Sequence, residues 1–116
     1  VTDERRRNPR VLTGGSIQAR VLGRNLDLDV LDLSVGGFRA ESHLRISVGR
    51  TYVCEIGATG VGTVTLAVKA VYCRPMTADP QATFDVGFAF LNPGERAVHA
   101  AVGMLLEHVT SVLEFE

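Results

Sequence analysis

Two cysteines in 116 residues are too few for a disulfide framework. Cys54 and Cys73 lie far apart in strand-like runs, so they read as two reduced thiols of a cytoplasmic domain. Histidine occurs only at His43, His99 and His108, scattered rather than at zinc-ligand spacing, and no metal site is expected. No apolar run is long enough to cross a bilayer and no secretory leader is visible, so membrane insertion is not expected. An excess of one charge is missing too. Twelve basic and thirteen acidic side chains leave a formal net charge of −1, without the broad basic face of a general DNA or RNA binder. The Gly60–Gly62 region lacks the lysine of a nucleotide-hydrolase phosphate loop. Asp27, Asp29 and Asp32 crowd one hairpin, but no base–nucleophile set accompanies them, so neither catalysis nor a cofactor is expected.

What is present is a single domain's worth of alternating pattern. The chain is 46% hydrophobic, ordinary for a globular protein of this length. Residues 16–22 alternate, with Ile17, Ala19 and Val21 opposite Gln18 and Arg20, as in a half-buried strand. After a turn at residues 23–25, Leu26, Leu28 and Val30 alternate with Asp27 and Asp29. Continuing that phase would point Asp32 inward, so a bulge or strand end is expected there. Phe38 and Ala40 mark a third strand, residues 51–57 a fourth, 61–73 a fifth and 84–90 a sixth. In the last, Phe84, Val86, Phe88 and Phe90 share one face, which makes most phenylalanines core rather than a platform for stacking bases. Six short antiparallel strands at this spacing predict a mainly β, closed or nearly closed barrel over residues 15–92.

The end of the chain changes period. Asn92, Pro93 and Glu95 read as N-cap, first helical residue and third helical residue. Val98, Val102, Leu105, Leu106, Val109, Val112 and Leu113 then recur at helical spacing through residues 93–116. Such a wide stripe most often packs within its own chain, so a homodimer formed through it is the lesser reading.

The start of the chain is its other exception. Residues 1–14 read as a flexible arm, in which Arg5, Arg6, Arg7 and Arg10 supply four of the twelve basic residues. Four arginines in six positions, with no apolar residue among them, are a solvated tail or a clamp for an anion. Pro9 disfavours helical geometry at Asn8, so Arg6 and Arg10 are not a helical pair. One hairpin later comes Asp32-Leu33-Ser34-Val35-Gly36-Gly37. An RxxxR element (Arg6 to Arg10) followed by [DN]xSxxG (Asp32, Ser34, Gly37) resembles the PilZ family of bacterial cyclic di-GMP receptor domains. Arg20 and Arg24 also spell RxxxR, but they lie inside the first hairpin, too close to Asp32 for the family layout.

The resemblance implies a split-barrel domain on whose surface the arginine arm folds over cyclic di-GMP. The matching positions are Arg6, Arg10, Asp32, Ser34 and Gly37, with Gly36 beside them. Arg5, directly before the motif, stands where members that bind a stacked ligand dimer commonly carry an arginine. The chemistry agrees with the residue types. Arginine's planar fork fits phosphate oxygens and the O6/N7 edge of guanine. Asp32 can accept from a guanine's N1 and N2 donors, which no phosphate supplies, and Ser34 can donate or accept at close range. Gly36 and Gly37 allow positive φ or close approach of a ring. The function implied is second-messenger sensing, relayed to an attached domain or a partner protein. The alternative is a protein-interaction module of the same fold that binds no nucleotide. Single-stranded nucleic acid binding would want exposed aromatics, which the periodic phenylalanines do not offer.

Overall fold

The computed structural model describes residues 11–58, 60–76 and 83–114, with side chains through Thr110. Its elements are β1 (Val11–Leu12), β2 (Gln18–Val21), β3 (Leu26–Ser34), β4 (Gly37–Ser42), β5 (Thr51–Ala58), β6 (Gly62–Pro75), β7 (Phe84–Phe90) and α1 (Arg96–Glu114). All strand pairs are antiparallel. In the order β3-β2-β5-β6-β7-β4, six strands close on themselves through the β3–β4 pair, and β1 adds to β3 from outside. The expected six-stranded antiparallel barrel with a C-terminal helix is therefore present, with one strand more than the pattern indicated. That strand is two residues long, too short for alternation to reveal. It takes Val11 and Leu12 from the tract expected to be arm and pairs them with Leu33 and Asp32.

Alternation explains the core. Ile17, Val21, Leu28, Leu33, Phe38, Ile56, Val68 and Val86 are almost completely buried. Phe38 stacks on Phe88 with ring centroids 4.9 Å apart, and Tyr52 meets Phe88 edge-on at 6.5 Å. Phe90 completes the cluster at 5.9 Å from Phe38, so these phenylalanines are core, as their spacing indicates. On the helix, Val102, Leu105 and Val109 are buried, and α1 lies against β1 and β3.

The helix begins later than its sequence suggests. Asn92 has φ 53°, a left-handed geometry unlike that of an N-cap, and its carbonyl accepts from the Glu95 N–H in a turn. The Glu95 carbonyl then accepts from the His99 N–H and starts the helical ladder. Asn-Pro-Gly is thus a turn, and the N-cap assignment to Asn92 is corrected to a start at Arg96.

Two bulges set which side chains face outward. Between β3 and β4 the register shifts between Val30 and Asp32, leaving Leu31 as the extra residue. Val30 and Leu33 consequently both face the core, and Asp32 sits opposite Arg39 on the outer face. The expected bulge is there. The arm root occupies the interrupted stretch: the Thr13 N–H donates to the Leu31 carbonyl at 3.1 Å, and the Thr13 hydroxyl donates to that of Val30. Thr13 is itself only 2% exposed. Between β6 and β7 a second shift, between Ala70 and Tyr72, turns Tyr72 onto Gly87.

Both glycines beside these bulges are required by space, not by φ. A Cβ at Gly37 would overlap the Phe88 carbonyl oxygen, and one at Gly87 would overlap the Tyr72 ring. The backbone approach at Gly37 is therefore to the protein's own strand β7. Gly37→Ala should cost ~2–3 kcal/mol through overpacking, whereas Gly94→Ala, with no atom within reach of the added methyl, should cost less than about 0.5 kcal/mol. Urea unfolding midpoints check this, and equal midpoints for the two variants would contradict the packing at β4–β7.

Cys54 and Cys73 are both free. Burial pushes the Cys54 thiol up from 9.0 to about 12. A raised thiol ties the fold to the protonated form. Its contribution is whole below the ordinary value and declines as pH climbs from 9 toward 12. At pH 8 a maleimide should leave Cys54 unmodified in the folded protein and label it only in denaturant; fast native labelling of Cys54 would contradict the core described.

Candidate functional site

The outer face of β3, β4, β7 and β6 carries a row of polar side chains in which charge alternates. Asp32 on β3 lies 3.2 Å from Arg39 Nε on β4, and Arg39 Nε lies 3.7 Å from Asp85 on β7. Asp85 in turn accepts from Arg74 on β6, at 3.4 Å from both Nε and Nη2, and from the Tyr72 hydroxyl at 3.2 Å. The Arg74 guanidinium stands 4.8 Å from the Tyr72 ring centroid. Registry places these groups together. Asp32 is opposite Arg39, Arg39 opposite Gly87, and Arg74 opposite Asp85. Only 7% of the Asp32 side chain and 13% of the Asp85 side chain are exposed, so each needs its cationic neighbour. Burial first, and the adjacent Asp85 carboxylate second, push the Tyr72 hydroxyl above its ordinary range and keep it a donor.

At one end of the row the motif turn is tied by Ser34. Its hydroxyl accepts from the Gly36 N–H and donates to the Gly37 carbonyl, both at 3.3 Å. The structure thus brings Asp32, Ser34, Gly36 and Gly37 together at the end of β3, with Ser34 shaping the turn. Arg5, Arg6 and Arg10 lie outside the described residues. Their tether is described, however: Val11 pairs with Leu33, so the chain enters the fold beside the Asp32–Ser34 segment.

Arg20 is committed elsewhere. It pairs with Asp27 at 3.0 Å across the β2–β3 hairpin, both side chains well exposed. A concavity of about 560 Å³ opens beside that pair, lined by Gln18, Asp29, Glu55 and Thr63 among others. Its carboxylates Asp27, Asp29 and Glu55 face a single arginine already paired, which makes it a poor receptacle for phosphate. The face of β3, β4, β7 and β6 carries Arg39 and Arg74 beside its carboxylates and so opposes an anion less. Among the described residues, no three His, Cys, Asp or Glu side chains are placed to hold a metal ion.

Sequence reasoning missed Arg39, Tyr72, Arg74 and Asp85. Arg39 and Asp85 registered only as the outward members of alternating strands. The available signal for Arg39 was the bulge itself: once Asp32 is turned outward, the hairpin through Val35 and Gly36 sets Arg39 across from it. Nothing local announces Tyr72, because its outward position depends on the second bulge.

Comparison with known proteins gives a consistent picture. The model of the PilZ domain matches residues 4–107. No curated protein matches the chain. Among solved structures, it resembles the PilZ domain with c-di-GMP of YcgR from Escherichia coli at a TM-score of 0.77 and 18% identity, covering 94% of each chain. The crystal structure of YcgR in complex with c-di-GMP from Escherichia coli is similar at a TM-score of 0.68 and 21% identity; 95% of this chain covers 46% of that one. The MrkH–c-di-GMP complex of K. pneumonia follows at a TM-score of 0.72 and 15% identity, with 96% of this chain covering 55% of that one. This chain therefore spans about half the length of the longer neighbours. With a family match over most of its length and a barrel of the same architecture, the chain belongs to the PilZ domain family.

Proposed function

We propose that this domain is a receptor for cyclic di-GMP, which its N-terminal arginines clamp against the outer face of β3 and β4. The observation that carries the reading is that residues 11–13, which follow the arginine motif in sequence, meet the strand that leads into the Asp32–Gly37 turn. The Asp32–Gly37 turn and the root of the arginine arm share strand β3, with Val11 opposite Leu33 and Thr13 bonded to the bulge carbonyls. The ligand named in the structural neighbours supports the same choice.

In this reading Arg6 and Arg10 contact phosphate oxygens and the O6/N7 edge of guanine, while Asp32 accepts from a guanine's N1 and N2. Ser34, Gly36 and Gly37 keep the turn compact so that a base can lie close to it. Arg5 adds a contact for a second, stacked ligand. Four arginines in one short arm repel each other, and a doubly anionic ligand offsets that repulsion, so binding orders the arm. The changed surface is what an attached domain or partner protein would sense. In this reading every group named binds or orients the ligand, and the role is reception.

Calorimetric titration with cyclic di-GMP is the direct test. Arg6→Ala or Arg10→Ala should each raise Kd roughly 5- to 150-fold, the equivalent of ~1–3 kcal/mol, without lowering the unfolding midpoint. Arg20→Ala should leave Kd unchanged, because Arg20 is engaged with Asp27. Equal losses from Arg20→Ala and Arg10→Ala would refute the motif assignment. Absence of heat with the unmodified domain would leave the nucleotide-free interaction module standing.

Asp32→Ala separates base recognition from phosphate attraction. A carboxylate repels phosphate, so its removal should weaken cyclic di-GMP binding while sparing whatever weak binding cyclic di-AMP shows. A parallel loss for both ligands would reduce Asp32 to a turn residue.

A further inference from the structure

The outer face of β2, β5, β6 and the end of β7 carries an apolar row that crosses four strands. The Leu22 N–H donates to the Val53 carbonyl, Val53 lies opposite Ala67, and the Leu91 N–H donates to the Ala67 carbonyl. Leu22 is 40% exposed and Val53 44%, Ala67 is exposed, and Leu91 is half-buried. Single exposed apolar residues are ordinary on a folded domain, but four in register across a sheet form a continuous apolar face. The flanks of this row carry opposite charge. One step along the strands, Lys69 lies opposite Thr51 on one side and Ala89 on the other, so that flank is cationic. One step the other way, Glu55 lies between Arg20 and Thr65, and Arg20 is paired with Asp27. That pair is neutral in sum, and Glu55 makes the flank anionic. Among the described residues, neither Lys69 nor Glu55 forms an ion pair.

We propose that this face is the contact between two copies of the chain, related by a two-fold axis that runs along the apolar row. Such a contact is isologous: the row meets itself, and each flank meets the opposite flank of the other copy. Lys69 then comes beside Glu55 of the partner subunit, and symmetry makes that pair twice. With the axis along the strands instead, each flank would face its own kind, lysine near lysine and glutamate near glutamate. Charge therefore selects the first arrangement. Asp27 and Asp29, which line the concavity together with Glu55, add to the attraction for the incoming ammonium group. Size sets the strength. Four strands by three rows cover roughly 400 Å² at ordinary strand and residue spacings, against about 800 Å² per partner in a standard interface. The dimer is accordingly weak and reversible, with a dissociation constant on the order of 100 µM. No residue of the Asp32–Gly37 turn takes part, so the contact is independent of the receptor reading.

Sedimentation velocity of the 116-residue chain without nucleotide, from about 10 µM to about 1 mM, tests the proposal. The sedimentation coefficient should rise with concentration toward that of a dimer, and added salt should weaken the association. Val53→Asp places a charge where the row meets itself and should weaken association at least about tenfold. Because Val53 is exposed in the single chain, its unfolding midpoint at low concentration should not fall. Lys69→Glu or Glu55→Lys alone should each weaken association about threefold to tenfold, and the double exchange should restore it. Met104→Asp, on the exposed side of α1, is the control and should change nothing. A chain that stays monomeric at about 1 mM overturns the proposal. Association abolished by Met104→Asp and spared by Val53→Asp places the contact on the helix and overturns it equally. Failure of the double exchange to restore association refutes the crossing of flanks that defines the dimer.

Discussion

A carboxylate cannot face a hydrocarbon core without partners, and in β3 that constraint falls on Asp32, two residues past the buried Val30. Strict alternation would put it beside Leu28 and Val30. The extra residue Leu31 resolves the conflict by changing the parity of the strand, so that Leu33 rejoins the core and Asp32 moves to the outer face. Much else follows from this one irregularity. It sets Arg39 across from Asp32, and it frees the backbone carbonyls that Thr13 engages. By holding Thr13 it fixes where the arginine arm joins the barrel. The bulge thus connects the packing of the core to the composition of the site.

How far the sequence reveals this depends on the range of each determinant. Strand β7 and the residues 17–21 tract were legible because their apolar residues keep period two without interruption. The bulge was legible for the same reason, since an aspartate in an inward phase has few outcomes. Strand β1 was not, because two residues carry no period. The helix start was misplaced because Asn-Pro-Gly serves equally as a cap and as a turn, and the left-handed φ of Asn92 is a tertiary outcome. The motif residues Asp32, Ser34, Gly36 and Gly37 were readable as a cluster, yet the fit of Gly37 against the Phe88 carbonyl was not. Asp85, Tyr72 and Arg74 come from strands far along the chain, and only barrel closure brings them to Arg39.

Charge is sorted between two parts of the barrel surface. The net charge is small, but Asp27 and Asp29 on β3 and Glu55 on β5 gather around the concavity. Arg39 on β4 and Arg74 on β6 gather with the carboxylates of Asp32 on β3 and Asp85 on β7. An anionic ligand meets repulsion at the first and compensated charge at the second.

The central claim is that cyclic di-GMP engages the outer face at the β3 bulge and not the acidic concavity. Backbone amide shift mapping by NMR during titration with cyclic di-GMP tests it most directly. The account predicts that the large changes fall on Asp32–Gly37, Arg39 and the β1 residues Val11 and Leu12, while Gln18, Asp29, Glu55 and Thr63 stay still. Changes concentrated on those four residues, with the Asp32–Gly37 turn unmoved, would contradict it.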